Sequence, residues 1–385
     1  KKVKIDPKRV GRGTCSQRAN CLDPPLAQVS HDSGCNSVCS SCMMPLLKAA
    51  RVVGAVLFAS LAVLFGLAPS PGAITGRSYG DTTPLAVCML RAIESLRPPS
   101  ERLFNDKFAT SMFPGPARPD AAITGWAIQY IHPVAKVLIN WVYPGVMEMV
   151  ACRTRFIDDA IRTACATGVR QVVILGAGYD TRALRLPCTG VRYFEVDREV
   201  IQAYKKERYA AATAQAAAQV SFVQVDFATQ SLAAELRKAG FSAQLPTTFV
   251  MEGVTMYITR EAFVATLGFV ASVPGARLIF TYFEQAALDR PEEWGGPHAE
   301  LNFARMQKMV TARGEPFISG YAPGEMQTFL GMHGLRLEQD ACEDACLAYL
   351  RQHGRTGRGP GGDAIPCHER WVIAAVSGAS MVEGA

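Results

Sequence analysis

The chain has 385 residues, 49% of them apolar and 19% charged, with a formal net charge of +6 at pH 7. That size and composition exclude a disordered or collagen-like chain and fit one catalytic domain with additions. The charge is localised: residues 1–51 hold nine Lys/Arg against three acids, and the rest carries 31 of each. No basic face is left for the folded part, so no nucleic-acid partner is expected.

In chain order, residues 1–51 read as a basic, unstructured tail that holds five of the twelve cysteines. Within it Cys35, Cys39 and Cys42 have the spacing of a loop that holds an iron–sulfur cluster. Their Ser- and Asn-rich setting, ahead of an apolar run, argues for a plain tail, and no metal site is assigned. The seven other cysteines are scattered singly and read as reduced, structural thiols. Residues 52–68 form an uncharged run of 17 behind Lys48 and Arg51. As a helix it spans about 25 Å, the short end for crossing a bilayer, and it also suits a cleaved targeting segment or a buried helix. Membrane association through 52–68 and localisation (membrane-anchored, organelle-targeted or otherwise cytoplasmic) stay open. Residues 69–79 read as a Pro/Gly linker.

Residues 80–168 read as a helical cap. Leu85, Cys88, Met89 and Ile93 fall at helical spacing, Pro98-Pro99 stops that helix, and further helices are expected over 121–140 and 145–167. From 169 to 385 the rhythm changes. Short β-rich runs at 170–176, 191–196, 220–226, 247–252 and 276–283 alternate with stretches that suit helices, which predicts a parallel, doubly wound α/β sheet.

Ligands of such sheets bind at the carboxyl ends of the strands. The expected ends are Gly176-Ala177-Gly178, Glu195-Val196-Asp197, Asp226-Phe227 and Glu252-Gly253. A nicotinamide dinucleotide calls for a third glycine at position 181 and a pyrophosphate at the following helix N-terminus. Thr181 stands there, beside Asp180. S-adenosylmethionine carries no phosphate and presents a ribose diol, an adenine amine, an ammonium and a sulfonium, all suited to carboxylates. Asp197 lies at the spacing that offers an acid to ribose hydroxyls. Asp226 can accept from the adenine amine with Phe227 against the purine, and Glu252 can take the ammonium or position the acceptor. Any one such acid is as readily a helix cap or a surface charge; the agreement of the strand ends is what counts.

The runs "RTRFIDD" (153–159), "VVILGAGYDTRALRL" (172–186), "FEVD" (194–197), "VDF" (225–227), "EGVTMYIT" (252–259) and "GEPFISGYAPGEMQTFLGMHGLRL" (314–337) resemble, in order, the leucine carboxyl methyltransferase-like family, across roughly residues 80–377. The resemblance implies a class I methyltransferase (Rossmann-like) doubly wound sheet with an N-terminal helical cap, and S-adenosyl-L-methionine as cofactor. It implies contacts from Arg153 to the methionine carboxylate, from Gly176 and Gly178 at the turn, from Asp197 to the ribose, and from Asp226 with Phe227 around the adenine, with Glu252 completing the set. The family commonly has Leu where Phe227 stands. Arg153 suits its part because a guanidinium matches a carboxylate bidentately.

Methyl transfer is an in-line displacement in which alignment and exclusion of water do most of the work. No Ser-His-Asp set and no metal-spaced His pair is visible, and an ionised carboxylate acceptor needs no base. An O-methyltransferase acting on a carboxylate, or a hydroxyl, of a small molecule or a protein C-terminus is therefore expected, with Glu252 and Tyr257 positioning the acceptor. A nicotinamide oxidoreductase and an inactive membrane-tethered module are the competing readings.

Overall fold

A computed structural model describes residues 82–112, 136–137, 139, 145–212, 220–225, 230–291, 299–312, 314–356 and 368–378. The expectations for residues 1–51, 52–68 and 69–79, the Cys35/Cys39/Cys42 loop, and nearly all of the helix expected over 121–140 lie outside these residues. Among the described residues, no helix is long and apolar enough to cross a membrane.

Seven strands form one sheet: β1 (Gln171–Leu175), β2 (Arg192–Asp197), β3 (Val220–Gln224), β4 (Thr247–Met251), β5 (Arg277–Phe283), β6 (Leu335–Ala341) and β7 (Glu369–Val376), in the order β3-β2-β1-β4-β5-β7-β6. The first five pair in parallel. β7 runs antiparallel between β5 and β6. β1 and β4 are buried along their whole length, which is why "VVIL" and "FVM" show no polar alternation: strands covered on both faces need apolar residues at every position.

Helices are labelled in order among the described residues: α1 (Thr82–Ser95), α2 (Val146–Ala166), α3 (Arg182–Arg185), α4 (Glu199–Ala212), α5 (Leu232–Lys238), α6 (Arg260–Ala271), α7 (Gln285–Asp289), α8 (Ala299–Ala312), α9 (Pro323–Met332) and α10 (Glu343–Gln352). On one sheet face Val173, Leu175, Phe194 and Phe249 pack with Phe263 and Leu267 of α6 and Phe329 and Leu330 of α9. On the other, Val172, Ile174, Tyr193 and Val250 meet Phe156, Ile157 and Ile161 of α2. Each such side chain contributes roughly 1.5–3 kcal/mol on burial. The period-2 split of each strand between two cores is the doubly wound arrangement expected of a class I methyltransferase fold.

Two expectations are corrected. The sheet is mixed and not wholly parallel: β6 and β7 escaped the reading because β6, LRLEQDA, is an edge strand exposed at Arg336, Glu338 and Gln339, where charges are favoured. The cysteines are not all reduced. Cys165, at the end of α2, and Cys188, just before β2, form a disulfide with their Cα atoms 6.2 Å apart. Both elements flank β1, and the pairing arises from the fold, not from any sequence spacing. Among the described residues, Cys88, Cys152 and Cys346 are outside any disulfide. Burial pushes Cys88 up to about 12, so it stays a packed thiol.

Opening the Cys165–Cys188 bond, which spans 23 residues of sequence, is expected to cost about 3 kcal/mol through the unfolded chain. Urea midpoints measured with and without a reductant, on wild type and Cys165→Ala, check this; identical midpoints would mean that the bond carries no stability. A second prediction concerns His368, packed 5.2 Å from Phe283 and 4.7 Å from Phe303 between ring centroids. Burial, and then the nearby Arg153 charge, push it down from 6.5 to about 4. The folded state therefore resists a proton that the unfolded chain accepts. The stability this ring contributes is full above about 6.5 and is lost as pH falls toward about 4, by on the order of 3 kcal/mol. His368→Phe should remove that part of the slope between pH 7 and 4, read as the difference between the two proteins' denaturation midpoints.

Candidate functional site

β1 delivers the chain to Gly176 and Gly178, whose φ angles are 65° and 43°. Both positions need glycine. A Cβ on Gly176 would stand 2.5 Å from Val254 Cγ2, and one on Gly178 would stand 3.2 Å from the Pro84 Cβ, in a backbone region that side chains disfavour. The turn is pinned from below, where the Ala177 N–H donates to Val196 O at 3.0 Å and the Asp180 N–H to Ala177 O at 2.7 Å.

β2 ends on Asp197, whose Oδ2 accepts from the Gly178 N–H at 2.6 Å and whose Oδ1 accepts from the Arg198 N–H at 2.7 Å. Burial raises its pKa against those two N–H groups. Glu195, two residues earlier, also ended the sequence pattern, but it points to a different environment. It is fully buried, 2.7 Å from Lys205 Nζ and 2.8 Å from the Tyr209 hydroxyl. Lys205 in turn reaches Ala177 O at 3.4 Å, so this pair supports the glycine turn from beneath.

β4 ends on Glu252, which sits among guanidinium groups. Its Oε1 accepts from Arg153 Nε at 2.8 Å and its Oε2 from Arg182 Nη1. Burial alone would raise its pKa, but Arg182 and Arg153 overcome it and hold the carboxyl well below the usual range. Arg153 also donates from Nη1 to Glu369 Oε2, the first residue of β7, at 2.6 Å. Arg182 adds Asp158 of α2 at 2.8 Å, and Asp180. Arg182 is only 1% exposed, so it lies under the turn rather than on its rim.

The helix after the glycine turn is a single stretch of four residues. Asp180 Oδ1 already accepts the Arg182 N–H at 2.6 Å, and Thr181 Oγ1 donates to Asp106 Oδ2 at 2.7 Å. A pyrophosphate needs free N–H groups and no adjacent carboxylate at that point, so the geometry disfavours a dinucleotide.

All these ends open into a cavity of about 770 Å³, within the range of small-molecule sites. Six of the sequence-predicted residues line it: Arg153, Gly176, Gly178, Asp197, Glu252 and Tyr257. Asp226 and Phe227 lie outside the described residues, directly after Val225, whose N–H donates to Asp197 O at 3.0 Å. Tyr257 sits in the 3-10 turn Thr255–Tyr257, its ring 5.3 Å from Phe317. Among the described residues no group of His, Cys, Asp and Glu is arranged to hold a metal ion.

Sequence reasoning missed three lining residues. Arg91 on α1 is buried, with its Nε 3.0 Å from Asp106 Oδ2 and Nη2 2.5 Å from Tyr179 O. The available signal was a charge three residues after Cys88, on the face that buries Cys88 and Ala92. Glu315 and Glu369 also face the cavity; Glu315 lay within a quoted run, and Glu369 had no local signal.

The leucine carboxyl methyltransferase family profile matches residues 85–271. A relative from Parafrankia sp. (strain EAN1pec), described as a "Putative S-adenosyl-L-methionine-dependent methyltransferase", is 35% identical over 257 residues, covering 66% of this chain and 76% of the relative. One of the same description from Saccharopolyspora erythraea is 30% identical over 273 residues, covering 70% of this chain and 88% of the relative. Among solved structures, a DUF574 family protein from Streptomyces avermitilis aligns at 14% identity with a TM-score of 0.42, covering 74% of this chain and 99% of that one. With the relatives aligned over most of their length and the glycine turn opening into a cavity bounded by strand-end acids, the chain belongs to the leucine carboxyl methyltransferase family of S-adenosyl-L-methionine-dependent methyltransferases.

Proposed function

We propose that this methyltransferase transfers its methyl group to an oxygen of a largely apolar acceptor held in the 770 Å³ cavity. The observation that carries the cofactor half of this reading is Asp197. Its carboxylate lines the cavity at the end of β2 and is aimed by the Gly178 and Arg198 N–H groups. A carboxylate oxygen has about two acceptor sites, so each keeps one lone pair for a vicinal diol. The donor set fits S-adenosylmethionine in chemistry: acids for hydroxyl and ammonium groups, guanidinium groups for a carboxylate, and glycine where the backbone must come close.

In this reading Asp197 holds the ribose, and Gly176 and Gly178 let the ligand approach the turn. Arg153 and Arg91 offer charge to the methionine carboxylate, and Glu252 faces the ammonium. Asp226 and Phe227 take the adenine, as the sequence pattern implies. Arg153 already binds two carboxylates through Nε and Nη1, so it is oriented before any ligand arrives, which lowers the ordering cost of binding. When bound, S-adenosylmethionine supplies an electrophilic methyl group on a sulfonium. The protein's own part is to align an acceptor oxygen with that methyl and keep water out.

Two apolar clusters do the excluding. Leu90, Val146 and Met149 belong to one, and Met306 and Phe317 to the other, and all five line the cavity. Such walls favour an acceptor with an apolar body. A carboxylate acceptor, of a small molecule or of a protein C-terminus, needs no base, whereas a hydroxyl does.

Asp197→Ala should weaken S-adenosylhomocysteine binding by about 10- to 100-fold, the worth of a charge-assisted hydrogen bond pair, as read by isothermal titration. Wild type should bind S-adenosylhomocysteine and not NADH. Native affinity in the variant, or a preference for NADH, would overturn the assignment.

A further inference from the structure

Of the carboxylates that line the cavity, Asp197 and Glu252 serve the cofactor reading and Asp180 and Glu369 pair with Arg182 and Arg153, which leaves Glu315. Glu315 lies in the segment after α8 and lines the cavity. Its Oε2 accepts from the Thr83 hydroxyl at 2.6 Å. Tyr257 lines the same cavity, close enough for the Glu315 charge to push its hydroxyl further up than burial alone does.

This trio is tied to the glycine turn twice. Thr83 precedes Pro84, whose ring meets Gly178, and Tyr257 closes the turn that begins at Val254, whose side chain meets Gly176; its N–H donates to Val254 O at 2.9 Å. The two residues packed on the glycines therefore lead, within three positions of chain, to Thr83, which holds the acid, and to Tyr257, which lines the cavity with it. Thr83 holds Oε2 and leaves Oε1 for another partner. The wall beside it is aromatic, with Phe317 5.3 Å from Tyr257 and 4.9 Å from Phe283 between ring centroids.

We infer that Glu315 is the general base of the reaction and that the acceptor is a neutral hydroxyl, phenolic or alcoholic, on an apolar or aromatic body. This rests on the methyltransferase reading above and names its acceptor. In the transfer the acceptor O–H bond breaks and its proton passes to Glu315 Oε1. The oxygen forms the new O–CH₃ bond while the sulfur–methyl bond breaks, its electron pair staying on sulfur to leave a neutral thioether. Glu315 then returns the proton to water. Thr83 fixes the rotamer of the base. A carboxylate acceptor gains nothing from a base and meets repulsion from Glu315, because like charges placed close together in a low-dielectric site are costly.

The test uses the whole chain with labelled S-adenosylmethionine and three probes of one shape: 4-butylphenol, 4-butylbenzoate and 4-butylaniline. Wild type is expected to methylate the phenol and not the benzoate or the aniline. Glu315→Gln keeps the shape and the Thr83 contact. It should lower transfer to the phenol by about 100-fold or more, the usual worth of a general base, with S-adenosylhomocysteine affinity unchanged. No transfer to the phenol, transfer to the benzoate or the aniline instead, or a Gln variant as active as wild type on the phenol each overturns the inference. Loss of S-adenosylhomocysteine binding by wild type in the same titration marks failure of the underlying cofactor reading instead.

Discussion

The site depends on a buried exchange of charge between Arg153, Arg182 and the acids around them. Arg182 brings together Asp158 of α2, Asp180 of the glycine turn and Glu252 at the end of β4. Arg153 joins Glu252 to Glu369 at the start of β7. Four separate stretches of chain are thereby held by two guanidinium groups. Assembling such a network gains little over an apolar core, since each ion gives up its hydration. Removing one member is another matter, because the partners are left charged and buried, at about 3–5 kcal/mol. The network therefore acts less as a source of stability than as a constraint on geometry. It leaves one arrangement in which all the charges are satisfied, and that arrangement puts Glu252 beneath the cavity.

The fold was legible where its causes are local. β1, β4 and β5 announce themselves as apolar runs because both their faces are covered, and Gly176 and Asp197 stand where a strand stops and a polar turn begins. β6 was not legible because an edge strand carries charges such as Arg336 and Glu338 that also suit a loop. The Cys165–Cys188 bond joins a helix end to a strand start across β1, and no spacing rule encodes that. Within the site, the strand-end residues were visible and the residues that hold them were not. Glu369 reaches Arg153 from 216 positions away, so its part could be read only after the sheet had formed. Arg91 carried no signal of its own on its helix, yet it pairs with Asp106 and donates to Tyr179 O. The expectation for Arg153 left out its two standing partners, Glu252 and Glu369.

The cavity combines two environments that seldom share a wall. Around Glu252 it is dense with paired charge, and around Phe317 it is aromatic. The cofactor and the apolar acceptor proposed above would each find a matching half. Thr83 and Pro84, adjacent at the start of α1, touch Glu315 and Gly178 respectively. The first turn of one helix thus registers the two halves against each other, so a shift of α1 changes both together.

The placement of β7 bears on how the protein is made. β6 precedes β7 along the chain but, among the described residues, pairs only with β7, which itself lies against β5. During synthesis, at about 5–20 residues per second, β6 emerges with no neighbour to zip onto, and β5 keeps an open edge until the later strand arrives. Glu369 comes with that strand, so Arg153 waits with one of its two carboxylates missing. A nascent chain at this stage exposes an unpaired edge, the kind of surface that invites pairing with other chains.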